Sequence, residues 1–218
     1  MTCLETIINM KLLTYQLGSL STNCYVLVDE LTNNAVAIDV GGDEQFLINE
    51  EKKHGFNVKT VLLTHGHFDH VSGVYKFYER GANVYMGKGD VCAIEKDEYN
   101  LASLFGETLK PFKVKSELLG GETLNFDGIT IETISTPGHS EGSITYKVNN
   151  MLFCGDVLFK GSFGRVDFLG GDVQKLCTSA KKLLNYDNCT LYPGHGEETT
   201  VKQEKLSNPI NGYIKYYL

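Results

Sequence analysis

The chain has 218 residues, 42% hydrophobic and 22% charged, which excludes disorder, collagen and coiled coil and leaves enough chain to bury a core without staples. Twenty basic against 27 acidic side chains give a net charge of −7 with no Lys/Arg-rich run, which argues against a nucleic-acid partner. No apolar stretch approaches the length of a bilayer span, so no membrane partner is expected.

The N-terminus MTCLETIINMKLLTYQL lacks a basic leader, a solid apolar core and a small-residue cleavage site, so it reads as no signal peptide and the chain as cytoplasmic. Lys11–Leu17, Asn23–Asp29 and Ala35–Asp39 are β-branched or alternating and read as strands, with a turn at Asn33-Asn34. Asp43–His54 has an apolar stripe of helical period, and His54 is a helix-end surface histidine without a function. Val58–Thr64 is a short buried strand. A helix over Val71–Arg80, a strand at Asn83–Met86 and a helix near Asp90–Asp97 follow. Strands are then expected at Glu122–Phe126, Ile129–Thr136, Ser143–Val148 and Met151–Cys154, with turns at Asp127-Gly128 and Asn149-Asn150. Asp172–Leu184 reads as a helix, Thr190–Tyr192 as a last strand, and Thr199–Leu206 as a short helix stopped by Asn208-Pro209. The Tyr-rich end after it leaves room for one more short helix or a tail. Two β-rich halves with interspersed helices predict two packed sheets covered by helices in one domain, 1–218. Cys3, Cys24, Cys92, Cys154, Cys177 and Cys189 form no C-x-x-C pair and read as free thiols in a reducing compartment.

The strongest chemical signal is Thr64-His65-Gly66-His67-Phe68-Asp69-His70, four potential metal ligands in six residues directly after a predicted strand. Imidazole and carboxylate suit zinc, iron or manganese. His65 and His67, two apart on an extended loop, can project to one side, while Asp69 and His70 fall where a helix begins. One segment can thus serve two adjacent metals. His139, Asp156 and His195 each sit at a strand end beside glycine, where the backbone can bend close to an ion.

With these motifs the chain resembles the metallo-β-lactamase fold superfamily, from about Asn23 to Asn208. Asp39 in Ile38-Asp39-Val40-Gly41-Gly42, the H-x-H-x-D-H run, His139, Asp156 and His195 match its five motifs in order. The segments Gly155–Gly161, Gly164–Phe168, Gly170–Asp172 and Tyr192–Gly196 make it similar to the short bacterial glyoxalase-II-like hydrolases. The resemblance implies an α/β (α+β) fold, a four-layer αββα sandwich of two mixed β-sheets flanked by helices, with two divalent metal ions at one edge. It implies zinc first, then iron or manganese. It assigns His65, His67 and His139 to one metal and Asp69, His70 and His195 to the other, with Asp156 bridging and Asp39 orienting a histidine from behind.

The same resemblance implies a hydroxide held between the metals, attack on a carbonyl carbon, and Asp69 as the group that orients the nucleophile and takes its proton. A thiolate leaving group, with a conjugate acid near pKa ~8.5, departs without an acid, so the expected substrate is a small acyl-thioester such as a hydroxyacyl-glutathione. Lys160 and Arg165 can meet a carboxylate or phosphate of that substrate, and Arg165 can equally make a local contact with Asp167. The chain ends 23 residues after His195, so the C-terminal helical domain that binds glutathione in full-length glyoxalase II is not expected. Ser140-Glu141 stands where relatives often have Thr-Pro. Persulfide dioxygenases resemble the chain as well, and would hold a single iron on His65, His139 and Asp156. Lactonases form a third reading.

Overall fold

The computed structural model describes residues 10–218, so Cys3 and the leader reading lie outside the described residues. Six strands make the first sheet in chain order: β1 (Met10–Leu17), β2 (Thr22–Asp29), β3 (Asn34–Ile38), β4 (Asn57–Leu63), β5 (Asn83–Gly87) and β6 (Ser116–Leu118). The β1–β2 and β2–β3 pairs are antiparallel and the rest parallel. Helices α1 (Glu44–His54), α2 (Phe68–Val71), α3 (Val74–Glu79) and α4 (Asp97–Asn100) belong to this half.

The second half holds β7 (Thr123–Phe126), β8 (Ile129–Ser135), β9 (Ile144–Val148), β10 (Met151–Gly155), β11 (Leu158–Phe159), β12 (Ser162–Phe163), β13 (Thr190–Pro193) and β14 (Thr199–Thr200), with α5 (Val173–Leu183), α6 (Val201–Ser207) and α7 (Ile210–Tyr217). Its sheet runs β14-β13-β10-β9-β8-β7, and β11–β12 form a separate small hairpin.

Burial explains the layers. Every residue of β2 is buried, because its sheet is covered on both faces. Tyr25, Leu27, Val36, Ile38 and Leu62 meet Ile129, Ile131, Tyr146 and Phe153 between the sheets. Val26, Ala37, Val61 and Val84 pack outward against Leu47 of α1 and Val74 and Phe77 of α3. Leu152, Cys154 and Leu191 pack against Leu176, Cys177, Ala180 and Leu183 of α5. Those α5 residues recur at helical spacing on one face, and the Asp172 carboxylate accepts from the Gln174 and Lys175 amides at its start. The result is the αββα sandwich. Tyr146 donates across the sandwich to the Leu63 carbonyl at 2.7 Å.

Some elements differ from expectation. The helix expected at Asp90–Asp97 is a 3₁₀ stretch, Lys88–Ile94, followed by the separate α4, which ends at Leu101 in a left-handed conformation (φ 67°). The helix expected at Val71–Arg80 is two pieces, because the Gly73 amide leaves the helical pattern to donate to the Val40 carbonyl. Strands β6, β11, β12 and β14 have two or three residues each, too few to show alternation in a sequence. Asn208-Pro209 stops α6 as expected and also starts α7, whose Ile210 amide donates to Asn208 Oδ1. The five described cysteines are free. No helix among the described residues is long and apolar enough to cross a membrane.

One carboxylate ties the two halves together away from the His65–His70 segment. Asp29 accepts from the Leu31 and Thr32 amides, the Thr32 hydroxyl and, across the sandwich, the Gly128 amide at 3.1 Å. These donors, the Thr32 amide foremost, hold the Asp29 carboxyl below its usual range. A carboxyl depressed in the folded state stabilises the fold above its unfolded pKa of about 3.9, and that contribution fades as pH falls through the folded value. Asp29→Asn is therefore expected to cost about 1–2 kcal/mol near neutral pH and to flatten the acid limb of a stability–pH curve. Chemical denaturation at pH 7 and pH 3 measures both. An equal loss at the two pH values would contradict this assignment.

Candidate metal centre

The parallel strands of the first sheet end together, and the loops that leave them build half of the site. β4 runs out through Thr64 into His65-Gly66-His67, and the next turn of chain, α2, carries Asp69 and His70. From the second sheet, His139 follows β8, Asp156 follows β10 and His195 follows β13. Potential ligand atoms of these seven residues fall into three overlapping groups, each with its atoms within 4.8 Å of one another. The groups are His65, His67 and His139; Asp69, His70 and His195; and His65, His70 and Asp156. Asp156 Oδ2 lies 3.6 Å from His139 Nε2 and 3.7 Å from His195 Nε2, so this carboxylate stands between the first two groups.

Two glycines permit the approach. Gly155 has φ 50°, and a Cβ there would lie 2.5 Å from Thr64 Oγ1. A Cβ on Gly194 would lie 2.2 Å from Asp156 Oδ1 and 2.7 Å from His70 Cε1. Neither position has room for a side chain.

Hydrogen bonds behind the ring of candidate ligands fix which nitrogen three of the imidazoles present. Asp39, at the end of β3, accepts the Thr64 amide at 2.8 Å, the Thr64 hydroxyl at 2.7 Å and His70 Nδ1 at 2.8 Å. The Thr64 hydroxyl proton is thereby committed to Asp39, so at its 3.1 Å contact with His65 the Nδ1–H donates to Thr64 Oγ1. His139 Nδ1 donates to the Arg165 carbonyl at 2.8 Å. In their neutral forms all three rings then turn bare Nε2 atoms inward. His65 Nε2, His70 Nε2 and Asp156 Oδ1 are buried and find no hydrogen-bond partner among the described residues. His139 Nε2 faces His67 Nδ1 at 2.9 Å.

Buried polar atoms normally find partners, and these converge on one another instead. Three inward lone pairs with two adjacent carboxylates are the donor set of divalent transition metals. The residues present therefore fit such ions.

The electrostatics agree. Burial, then the neighbouring His70, holds His65 well below its usual pKa, and burial with His139 pushes His67 down to about 3. Both are neutral and ready to ligate at pH 7. For His70, burial works downward, but the Asp69, Asp39 and Asp156 charges overcome it and push it up to about 10. Burial likewise opposes, and the Asp69 hydrogen bond wins, in raising His195. On Asp69, burial works upward, and the His70 and His195 interactions carry the carboxyl below its usual range. A cation among these carboxylates would take the place of the protons they attract.

Several site residues were not found by motif. Asp90, buried in the first turn of the 3₁₀ stretch, accepts from the Gly66 amide at 2.9 Å, the Ser140 hydroxyl at 2.6 Å and the Gly142 amide at 2.6 Å. It therefore binds the His65–His67 loop to the His139 turn. Thr22 donates to Asp69 Oδ2 at 3.2 Å. At the rim, the Phe168 ring lies 6.1 Å from His67 and the Phe159 ring 6.2 Å from His195. Arg165 makes two 2.6 Å bonds to Asp167 and lies 3.9 Å over the Phe168 ring, and Lys160 pairs with Glu197 at 2.5 Å. His54 ends α1 against Glu50.

An αββα sandwich with inward histidines and carboxylates at the strand ends defines the class of protein built on the metallo-β-lactamase fold. The Metallo-beta-lactamase superfamily pattern matches residues 17–195, and the chain belongs to that superfamily. It is 36% identical over 202 residues to hydroxyacylglutathione hydrolase GloC of Haemophilus influenzae, covering 86% of this chain and 92% of the relative. The crystal structure of BLEG-1 B3 metallo-β-lactamase superposes with a TM-score of 0.85 at 35% identity, covering 91% of this chain and 98% of that one. TTHA1623, solved in a di-iron-bound form, superposes with a TM-score of 0.81 at 32% identity, covering 90% and 98%.

Proposed function

We propose that this protein is a binuclear metal-dependent thioesterase that hydrolyses acyl-thioesters, of the kind implied by the name of its GloC relative. The observation that carries this reading is the pairing of two ligand trios with the Asp156 carboxylate between them. His65, His67 and His139 would hold one ion and Asp69, His70 and His195 the other, with Asp156 shared. Zinc is the first expectation and iron or manganese the next. When bound, such a pair supplies Lewis acidity for a carbonyl oxygen and lowers the pKa of water toward neutrality.

The chain's own residues do the rest. Asp69 is oriented by the Thr22 hydroxyl, which donates to its Oδ2 at 3.2 Å. That carboxylate oxygen receives the proton of the attacking water. Asp39 holds His70 through Nδ1 and, through Thr64, fixes the ring of His65. Phe159 and Phe168 flank the cluster as apolar walls for the acyl and thiol arms. A thiolate leaves without a proton donor.

Elemental analysis of protein purified without added metal, with an assay of thiol release from acyl-thioesters, tests the reading. About two equivalents of divalent metal per chain and turnover on at least one thioester are the expected results. One equivalent of iron, with oxygen consumed on glutathione persulfide and no thioester turned over, would replace it with a persulfide dioxygenase.

A further inference from the structure

The hairpin β11–β12 is too short to stand alone. A buried polar network holds it. Glu204, 1% exposed, accepts from the Gly161 amide at 2.9 Å, the Thr199 hydroxyl at 2.7 Å and the Asn208 side chain at 2.8 Å. The Asn208 amide, itself 2% exposed, also donates to the carbonyls of Phe159 at 3.2 Å and Ser162 at 2.8 Å. Phe163 packs its ring on Tyr213 of α7 at 5.0 Å.

Burying a carboxylate is costly, and here it fixes the backbone of an exposed two-residue turn, Lys160-Gly161. That turn adjoins the metal ligands through the Phe159 ring beside His195. Its outward side chain is Lys160, whose ammonium is 2.5 Å from Glu197 Oε2. Glu197 comes two residues after His195, on a loop fixed by the Asn23 amide donating to the Gly196 carbonyl at 2.9 Å.

The two rim cations are held differently. Arg165 is bound bidentately to Asp167 and stacked on Phe168. Lys160 has one carboxylate, and both partners are largely in solvent, with side chains 56% and 78% exposed. An exposed single pair has little net worth and exchanges readily for another anion.

We propose that Lys160 is a specificity-determining residue that binds an anionic group on the thiol arm of the substrate, and that Glu197 competes for it from within the chain. This rests on the thioester reading above. A carboxylate or a phosphate satisfies the same ammonium, which is a point charge without a fixed fork. Glu197 therefore lowers the affinity for anionic thioesters relative to neutral ones, and Lys160 raises it.

The test uses the metal-loaded wild type, Glu197→Gln, Lys160→Gln and the double variant. Each is assayed on one acyl group carried by glutathione, by coenzyme A and by neutral N-acetylcysteamine. The readout is the KM for each anionic thioester divided by that for the neutral one. Glu197→Gln is expected to lower that ratio about threefold to fivefold. Lys160→Gln is expected to raise it about tenfold. In the double variant the Glu197 effect vanishes, because its target is gone. An effect confined to glutathione identifies a carboxylate, and one confined to coenzyme A a phosphate. An unchanged ratio in Glu197→Gln for both carriers, or a Glu197 effect that persists without Lys160, overturns the proposal. Should no thioester be turned over, the thioester reading fails by itself. Calorimetric binding of glutathione and coenzyme A to wild type and Glu197→Gln then decides the lysine. Tighter binding to the variant supports the proposal and equal binding overturns it.

Discussion

His67→Ala will abolish the proposed thioester hydrolysis, with a loss of about a thousandfold or more in kcat/KM, and will leave the fold standing. The expectation follows from where the ring sits. His67 is one of three imidazoles around the first proposed metal position, and its pKa, pushed down to about 3 by burial and His139, keeps it neutral at every working pH. Removing it takes a ligand from the ion that would polarise the carbonyl, an effect of several kcal/mol in a transition state. The loop itself stays fixed, because Gly66 is anchored on Asp90 and Thr64 on Asp39. The melting temperature of the metal-free protein should therefore move by a few degrees only. Steady-state kinetics with metal analysis is the check. Near-wild-type turnover in His67→Ala would remove this imidazole from the mechanism and favour a single-metal site on His65, His139 and Asp156.

Asp90→Ala should have the largest effect on stability. The substitution takes the acceptor from the buried Gly66 and Gly142 amides at once and leaves the Ser140 hydroxyl only Ser143 Oγ. Unpaired buried donors that had served a carboxylate cost about 3–5 kcal/mol in total. For a chain of this size that is a fall in melting temperature of roughly 10 °C. Activity should fall with it, since the His65–His67 loop and the His139 turn lose their common tether. Asp90→Asn keeps the shape and one acceptor and is expected to lie between the two. A thermal melt of Asp90→Ala within 2 °C or so of wild type would refute the tether.

The candidate ligand residues stood out because metal chemistry needs few side-chain types, and here they stand at strand ends beside glycine. The structure brings all seven of them together. Asp90 was not legible for the opposite reason. Its partners are mainly backbone amides of glycines, and a main-chain donor leaves no mark in a side-chain motif. The grip of Glu204 and Asn208 on the β11–β12 hairpin was missed likewise, because a carboxylate 43 residues from the Gly161 amide it receives has no local signature. In the fold, turns at Asp127-Gly128 and Asn149-Asn150 were readable from the left-handed preference of Asp and Asn, and both first residues have φ near 50°. The 3₁₀ stretch after β5 was read as a helix because its apolar spacing does not distinguish the two. Arg165 reached Asp167, the local contact that the sequence had offered beside a substrate role.

The inward nitrogens of His65 and His70 have a consequence for how long the protein lasts. A chain made while divalent metal is scarce carries buried polar atoms with nothing to satisfy them. Binding only to the folded form, metal at a hundred times its dissociation constant adds about 2.7 kcal/mol. A difference of that size changes the unfolded fraction, and so exposure to proteases, by about a hundredfold. If these residues hold metal as proposed, metal supply would then set the amount of this protein as well as its rate.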